Sequence, residues 1–138
     1  MRETIIAILF FVLLGTPASS RAGGARTALD RDLEGYVMAS CLTQMDDATL
    51  KEQGAAWAGA IAQRSHGDFE TFLPLAEAVK KELAEAGVGM ARRDGPVGTE
   101  LPLTVLTCAE MQDRPAVLQA MATARSKLRR NYSSPPKP

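Results

Sequence analysis

Polar residues between Leu101 and Met111 recur with the spacing of a helix. There are three of them, at every third position: Thr104, Thr107 and Glu110. This spacing places them on one narrow stripe of a helix but on alternating faces of a strand. Because nearly every other position is apolar, the pattern predicts a central helix that is buried on most sides, with Pro102 in its first turn.

Apolar residues at helical spacing predict two helices near the start of the domain. The inward face of the first helix carries Leu29, Leu33, Tyr36, Val37, Cys41 and Met45. Its other face carries mostly Asp30, Arg31, Asp32 and Glu34.

The second helix begins at Asp46 and Asp47, or at a capping box formed by Thr49 and Glu52. Its predicted inward face is Leu50, Gly54, Trp57, Ala58 and Ile61. The glycines at 54 and 59 each cost about 1 kcal/mol relative to Ala, so we expect a neighbouring helix to approach closely there.

Two more helices flank the central one. The third helix has Pro74 in its first turn and Gly87 as its stop. It buries Phe72, Leu75, Ala76, Val79 and Leu83. Asp113 is placed to cap the fifth helix, whose first turn contains Pro115. The fifth helix buries Val117, Leu118, Met121, Ala124 and Leu128.

The stretch from Val88 to Glu100 shows no periodicity. It contains three glycines and one proline, and its charged tip is Arg92, Arg93 and Asp94. Long loops inside compact domains are often functional or disordered, so this tip is either a candidate partner-binding segment or a merely solvated loop.

Composition narrows the class of protein. The 138 residues are 46% hydrophobic but only 5% aromatic, and β-branched runs are scarce, which is typical of an all-α protein. We expect one small bundle of about five helices. Lys plus Arg equals Asp plus Glu, with 16 of each, so there is no overall field to attract nucleic acid or an anionic membrane.

The amino terminus has the layout of a secretory signal peptide. Arg2 precedes the apolar run Ile5–Leu14, and small residues follow. A run of about ten residues is too short to span a bilayer comfortably. We therefore expect cleavage near residue 20 and a soluble periplasmic protein without a membrane anchor. The predicted organisation is a signal peptide (1–20), a flexible leader (21–28), a helical domain (29–130) and a disordered tail (131–138).

Cys41 and Cys108 are the only cysteines, and in an oxidising compartment they are most simply interpreted as one disulfide. Such a bridge closes a loop of about 67 residues and stabilises the fold by on the order of 4 kcal/mol. A catalytic thiolate would need a base, and the single histidine, His66, lies in a predicted turn. Two distant cysteines and one histidine match no compact metal-ligand spacing. The sequence thus predicts no catalytic residue, no metal site and no cofactor.

Two segments resemble a known family. The stretch Tyr36–Gln44 (YVMASCLTQ) and the stretch Leu103–Leu118 (LTVLTCAEMQDRPAVL), with an Ala/Gly-rich helix between them, resemble the periplasmic immunity proteins that neutralise type VI secretion amidase effectors. Two cysteine contexts carry the likeness. They are Ser40, Cys41 and Leu42 in the first helix, and Leu106, Cys108, Glu110 and Met111 in the later stretch.

The resemblance implies a binding protein and not an enzyme. Members of that family are helical, often dimeric, and block a papain-like peptidoglycan amidase by placing a protruding segment in its cleft. A cognate amidase effector and a homodimer are therefore the expected partners. In this chain the segment is expected to be the loop from Val88 to Glu100.

Two other classes stay open on the sequence. A periplasmic helical carrier or chaperone would hold an apolar ligand in a groove between helices. A structural subunit of an envelope complex would assemble stably with a non-enzymatic envelope protein. A small enzyme is the weakest alternative, with His66 as its best candidate base.

Overall fold

Five helices and one short hairpin make up the part of the chain that the computed structural model describes, which is residues 26–65, 69–92 and 100–133. The helices are α1 (Ala28–Leu42), α2 (Ala48–Arg64), α3 (Leu73–Ala86), α4 (Thr104–Glu110) and α5 (Pro115–Ser133). The antiparallel strands β1 (Met90–Arg92) and β2 (Glu100–Pro102) lie between α3 and α4 in the chain. Short 3₁₀ turns, Phe69–Thr71 and Met111–Asp113, precede α3 and α5. The all-α prediction is confirmed. The predicted signal peptide lies outside the described residues.

Helix α1 is the element on which the bundle is built. It packs against α2, α3, α4 and α5, and its inward residues Leu33, Val37 and Cys41 are fully buried. The ring of Tyr36 lies 4.6 Å from that of Phe72, which precedes α3. The predicted inward face of the first helix is thus confirmed, and this face is the centre of the core.

The prediction of a helix between Leu101 and Met111 is confirmed for Thr104–Glu110, but the expectation that this helix is central and buried on most sides is wrong. Leu101 and Pro102 pair with β1 as part of β2, and the helix that follows has only seven residues. Only Thr107 and Cys108 within α4 are buried. The polar stripe therefore does not mark the solvent side of this helix, because Thr107 turns inward and accepts a backbone hydrogen bond.

Gly54 marks a close approach between α1 and α2, as expected. A Cβ at this position would lie 2.7 Å from the Ala39 carbonyl oxygen and 2.9 Å from the Leu42 Cβ, closer than atoms can pack. Gly59 is different, because a Cβ there would meet nothing within 4 Å. The expectation of a close approach is therefore wrong for Gly59.

Helix α2 buries less than its sequence pattern predicts. It packs mainly against α1, so only a narrow stripe is covered, and its fully buried residues are Gly54 and Ile61. Trp57 keeps 41% of its surface exposed, which contradicts its predicted place in the core. In α5, Leu118 is likewise half exposed, whereas the four other predicted inward residues are buried.

The helix ends follow the local sequence signals in most cases. The Asp47 carboxylate accepts a hydrogen bond from the Leu50 N–H at the start of α2, which decides between the two predicted starts. Gly87 ends α3 with φ of 70°, a left-handed conformation that favours glycine. Helix α5 begins at Pro115, so Arg114 and not Asp113 precedes its first residue. It continues to Ser133, three residues into the predicted disordered tail.

Candidate protein-binding site

The ends of the predicted loop form a hairpin. Met90 pairs with Pro102, Ala91 with Leu101, and Arg92 with Glu100. The expectation of an irregular segment throughout residues 88–100 is therefore wrong at the two strands. The described residues place Arg92 at the end of β1, opposite a carboxylate, where opposite charges favour the pairing. Arg93 and Asp94 lie outside the described residues, so their predicted role in binding stays a prediction.

Large apolar side chains are exposed on the hairpin and on the helix that follows it. Leu101 is 52% exposed and Val105 is 60% exposed, and Met90 and Leu106 are about half exposed. We define the hairpin–α4 surface as Met90–Arg92, Glu100–Pro102, Val105 and Leu106. Clusters of exposed apolar side chains on a small protein commonly mark a site of interaction.

An open apolar groove continues this surface towards α2. Its volume is about 660 Å³, and its lining residues are Leu50, Pro102, Leu103, Thr104, Val105, Leu106 and Ala109. The lining holds no charged side chain. The groove can therefore bury apolar groups of a partner or a ligand, and it offers little to recognise a charged one.

The predicted disulfide between Cys41 and Cys108 is present, with 5.4 Å between the two Cα atoms. Both cysteines are fully buried, and the bond joins the central helix α1 to the short helix α4. A seven-residue helix is too short to be stable on its own. The disulfide therefore fixes the helix that carries two of the four large apolar side chains exposed on the hairpin–α4 surface.

A buried polar cluster lies away from this surface, and the sequence pattern did not predict it. Asp32 is only 5% exposed and accepts hydrogen bonds from the Arg64 guanidinium, with a distance of 2.8 Å from Nε, and from the Tyr132 hydroxyl at 2.6 Å. Burial and the bond to Asp32 raise the pKa of Tyr132 far above its ordinary value. The same carboxylate raises the pKa of Arg64. The cluster ties α1, α2 and the end of α5 together.

A signal for this cluster was present in the sequence. Asp32 follows Leu29 by three positions and precedes Tyr36 by four, so it lies beside the apolar stripe of the first helix. A carboxylate at such a position is expected to need a partner when it is buried. Arg64 and Tyr132 are 32 and 100 positions away, so the sequence could not name them.

A second polar contact joins the start of α1 to α5. The Asp30 carboxylate accepts hydrogen bonds from the Thr27 hydroxyl at 2.7 Å and from Arg125 Nε at 2.8 Å. These bonds, that of Thr27 first, lower the pKa of Asp30. An open cavity of about 330 Å³ lies beside this contact. The Asp30 carboxylate and the Arg125 guanidinium each have a partner within the fold, and their contact is a further link between α1 and α5.

Candidate metal ligands are scattered over the described residues. Within them, no group of three or more His, Cys, Asp or Glu side chains could hold a metal ion. His66, the candidate base, lies outside the described residues. Asp47 is used as a helix cap, and Glu85 faces Lys81 at 4.0 Å. Over the same ranges, no helix is long and apolar enough to cross a membrane.

Comparison with known proteins finds no matching family model, no matching curated protein and no matching solved structure.

Proposed function

We propose that this protein is an immunity protein that binds a type VI secretion peptidoglycan amidase and blocks its active-site cleft. The observation that carries the proposal is the hairpin–α4 surface, on which four large apolar side chains are about half exposed beside an opposite-charge pair. The resemblance of the segments around Cys41 and Cys108 to such immunity proteins supplies the class of partner.

The hairpin has a shape that suits a cleft. Two paired strands are roughly 5 Å apart, so a hairpin is one of the narrowest elements that a protein can present. Apolar side chains such as Leu101 and Met90 provide binding energy when a partner covers them, because interface hot spots are desolvated apolar anchors. Occlusion of a cleft needs no catalytic group on the inhibitor.

The scaffold favours tight binding because it is ordered before the partner arrives. The disulfide fixes α4 to α1, and the Asp32 cluster ties α2 and α5 to the same helix. An inhibitor whose contact surface is ordered in advance loses less entropy on association. This is the property that an immunity protein needs to protect the producing cell from a toxic amidase.

The remaining parts of the proposal rest on the sequence. The signal-peptide pattern and the buried disulfide fit export to the periplasm, where a peptidoglycan amidase acts. The homodimer that the resemblance implies is also proposed. Leu118, which is half exposed and lies outside the hairpin–α4 surface, is a candidate for its interface.

The test is peptidoglycan hydrolysis by a panel of purified type VI secretion amidases, which includes the product of the adjacent reading frame. The chain from residue 21 onward is titrated into each reaction. We expect inhibition of one amidase that is complete at an equimolar ratio. The variant Arg92→Ala, Arg93→Ala, Asp94→Ala should inhibit at least tenfold less well. This corresponds to a loss of about 1.4 kcal/mol of binding free energy.

A matched control replaces two cations and one anion elsewhere. The variant Lys80→Ala, Lys81→Ala, Glu82→Ala removes the same charges from α3 and should inhibit like the parent chain. Equal loss in both triple variants would contradict a contact at the hairpin. Absence of inhibition and of any complex across the panel would refute the immunity function.

A carrier of apolar ligands is the second candidate, and the groove beside α4 is the observation that favours it. Its volume of about 660 Å³ lies within the usual range for small-molecule sites. Mass spectrometry of an organic extract of the purified protein tests this function. A stoichiometric apolar ligand would support the carrier, whereas an empty groove in a protein that inhibits an amidase supports the immunity function.

A further inference from the structure

The hairpin is too small to hold its own orientation. Three paired positions join β1 and β2. A two-stranded hairpin is at best marginally stable in water unless another element packs on it. The orientation of Met90–Arg92 and Glu100–Pro102 must therefore come from contacts at the base of the hairpin.

Two hydrogen bonds meet at that base, and both involve Gly89. The Leu103 N–H donates to the Gly89 carbonyl oxygen at 2.7 Å, which adds a hydrogen bond next to the last pair of the two strands. The Gly89 N–H donates to the Thr107 hydroxyl oxygen at 3.0 Å. The first bond lies within the hairpin segment, whereas the second ties the segment to the side of α4.

Thr107 is well placed to act as a fixed point. Its side chain is among the few buried polar groups of the domain, and it adjoins Cys108, whose disulfide reaches the core helix α1. The connection from α1 to the hairpin therefore runs through one covalent bond and one hydrogen bond. A shift of Thr107 would change the angle between the hairpin and Val105 on α4.

We infer that Thr107 is a positioning residue for the partner contact. Its hydroxyl holds the hairpin against α4, so that the exposed side chains of the strands and of the helix keep a fixed relative orientation. The effect on amidase binding rests on the proposed function, whereas the effect on the hairpin is a property of the free protein. The two effects are measured separately.

The first experiment uses the free chain from residue 21 onward and measures hydrogen exchange of single amides by NMR. Thr107→Val removes the acceptor and keeps the shape, and Thr107→Ser keeps the hydroxyl. We expect the Gly89 amide to exchange about 2- to 10-fold faster in the Val variant, the worth of one hydrogen bond, and within about twofold of the parent in the Ser variant. The Val37 amide in α1 should be unchanged in both variants.

Two results of this experiment would overturn the inference. One is equal exchange of the Gly89 amide in the parent chain and in Thr107→Val. The other is a matching rise at Val37, which would mean general destabilisation and not a loosened hairpin. Neither result depends on an amidase.

The second experiment measures association with the inhibited amidase by the same variants. Thr107→Val should weaken binding about 2- to 10-fold, mainly through faster dissociation, and Thr107→Ser should restore it. A loosened hairpin with unchanged affinity would refute the role in binding. If the parent chain binds no amidase, the proposed function fails while the exchange data still decide the role of Thr107 in the hairpin.

Discussion

Asp32 shows how one buried carboxylate can fix the ends of two helices. It accepts hydrogen bonds from Arg64 at the end of α2 and from Tyr132 in the last turn of α5. A buried carboxylate without partners would be strongly destabilising, so both side chains stabilise the fold by keeping Asp32 hydrogen-bonded. Tyr132 lies in the stretch that the sequence predicted to be disordered, and its bond to Asp32 explains why α5 extends to Ser133.

The contact between Tyr132 and Asp32 predicts an alkaline limit to stability. The pKa of Tyr132 is raised in the folded protein from its ordinary value of 10.0, so the folded state keeps the proton more tightly than the unfolded state. The resulting stabilisation is fully present below pH of about 10 and is lost as the pH rises above it. Urea unfolding at pH 7 to 11 measures this loss.

Tyr132→Phe is the control for that measurement, because Tyr36 also has a raised pKa, owing to burial. We expect the Phe variant to be about 1 kcal/mol less stable at pH 7, because it has lost a hydrogen bond. Its free energy of unfolding should also fall less steeply above pH 10. Identical alkaline slopes in the two proteins would contradict the role of Tyr132.

Two glycines of α2 give opposite predictions for one substitution. Gly54→Ala places a Cβ against backbone atoms of α1 and should destabilise the protein by about 1–3 kcal/mol. Gly59→Ala meets open space and should stabilise by about 0.5–1 kcal/mol, since Ala loses less backbone entropy in a helix. Thermal unfolding of both variants checks the pair. The same sign of shift in both would contradict the packing of α2 on α1.

Among the elements, the long helices were predictable and the hairpin was not. Helices α1, α3 and α5 each carry an apolar stripe of helical spacing along at least fourteen residues, and this stripe identifies a helix without knowledge of its neighbours. β1 and β2 have three residues each, too few for a periodic signal. Their pairing depends on the fold around them, so the sequence indicated only an irregular segment.

The place of each element in the bundle was harder to predict than its type. The apolar residues after Leu101 indicated burial, yet Val105 and Leu106 are exposed. A stripe of apolar residues shows which face is apolar and not whether another part of the same chain covers it. Helix α4 is therefore the element whose apolar pattern and observed burial differ most clearly.

The disulfide should matter most for the placement of α4. It closes a loop of 67 residues, and the chain-entropy model gives on the order of 4 kcal/mol for a loop of this size. We expect the double variant Cys41→Ala, Cys108→Ala to lose about that much free energy of unfolding, measured with urea. The parent chain should show the same loss once it is reduced. Equal unfolding midpoints with and without reductant would contradict this.

The described residues form an ordered core, and four of their large exposed apolar side chains lie on the hairpin–α4 surface. Helix α1 packs against the four other helices, and the Asp32 cluster and the disulfide link it to α2, α4 and α5. The hairpin–α4 surface remains exposed. The two cysteine contexts that resemble immunity proteins include the residues of the disulfide that supports this surface.

Inhibition of an amidase by matched surface variants tests the central claim most directly. Leu101→Glu places a charge on the hairpin–α4 surface. Leu73→Glu is the matched control, because Leu73 is 45% exposed and Leu101 is 52% exposed. Leu73 lies at the start of α3, about 20 Å along that helix from the end that leads to the hairpin. We predict that Leu101→Glu loses at least tenfold in inhibition of the cognate amidase and that Leu73→Glu retains it. Full inhibition by Leu101→Glu would contradict the account.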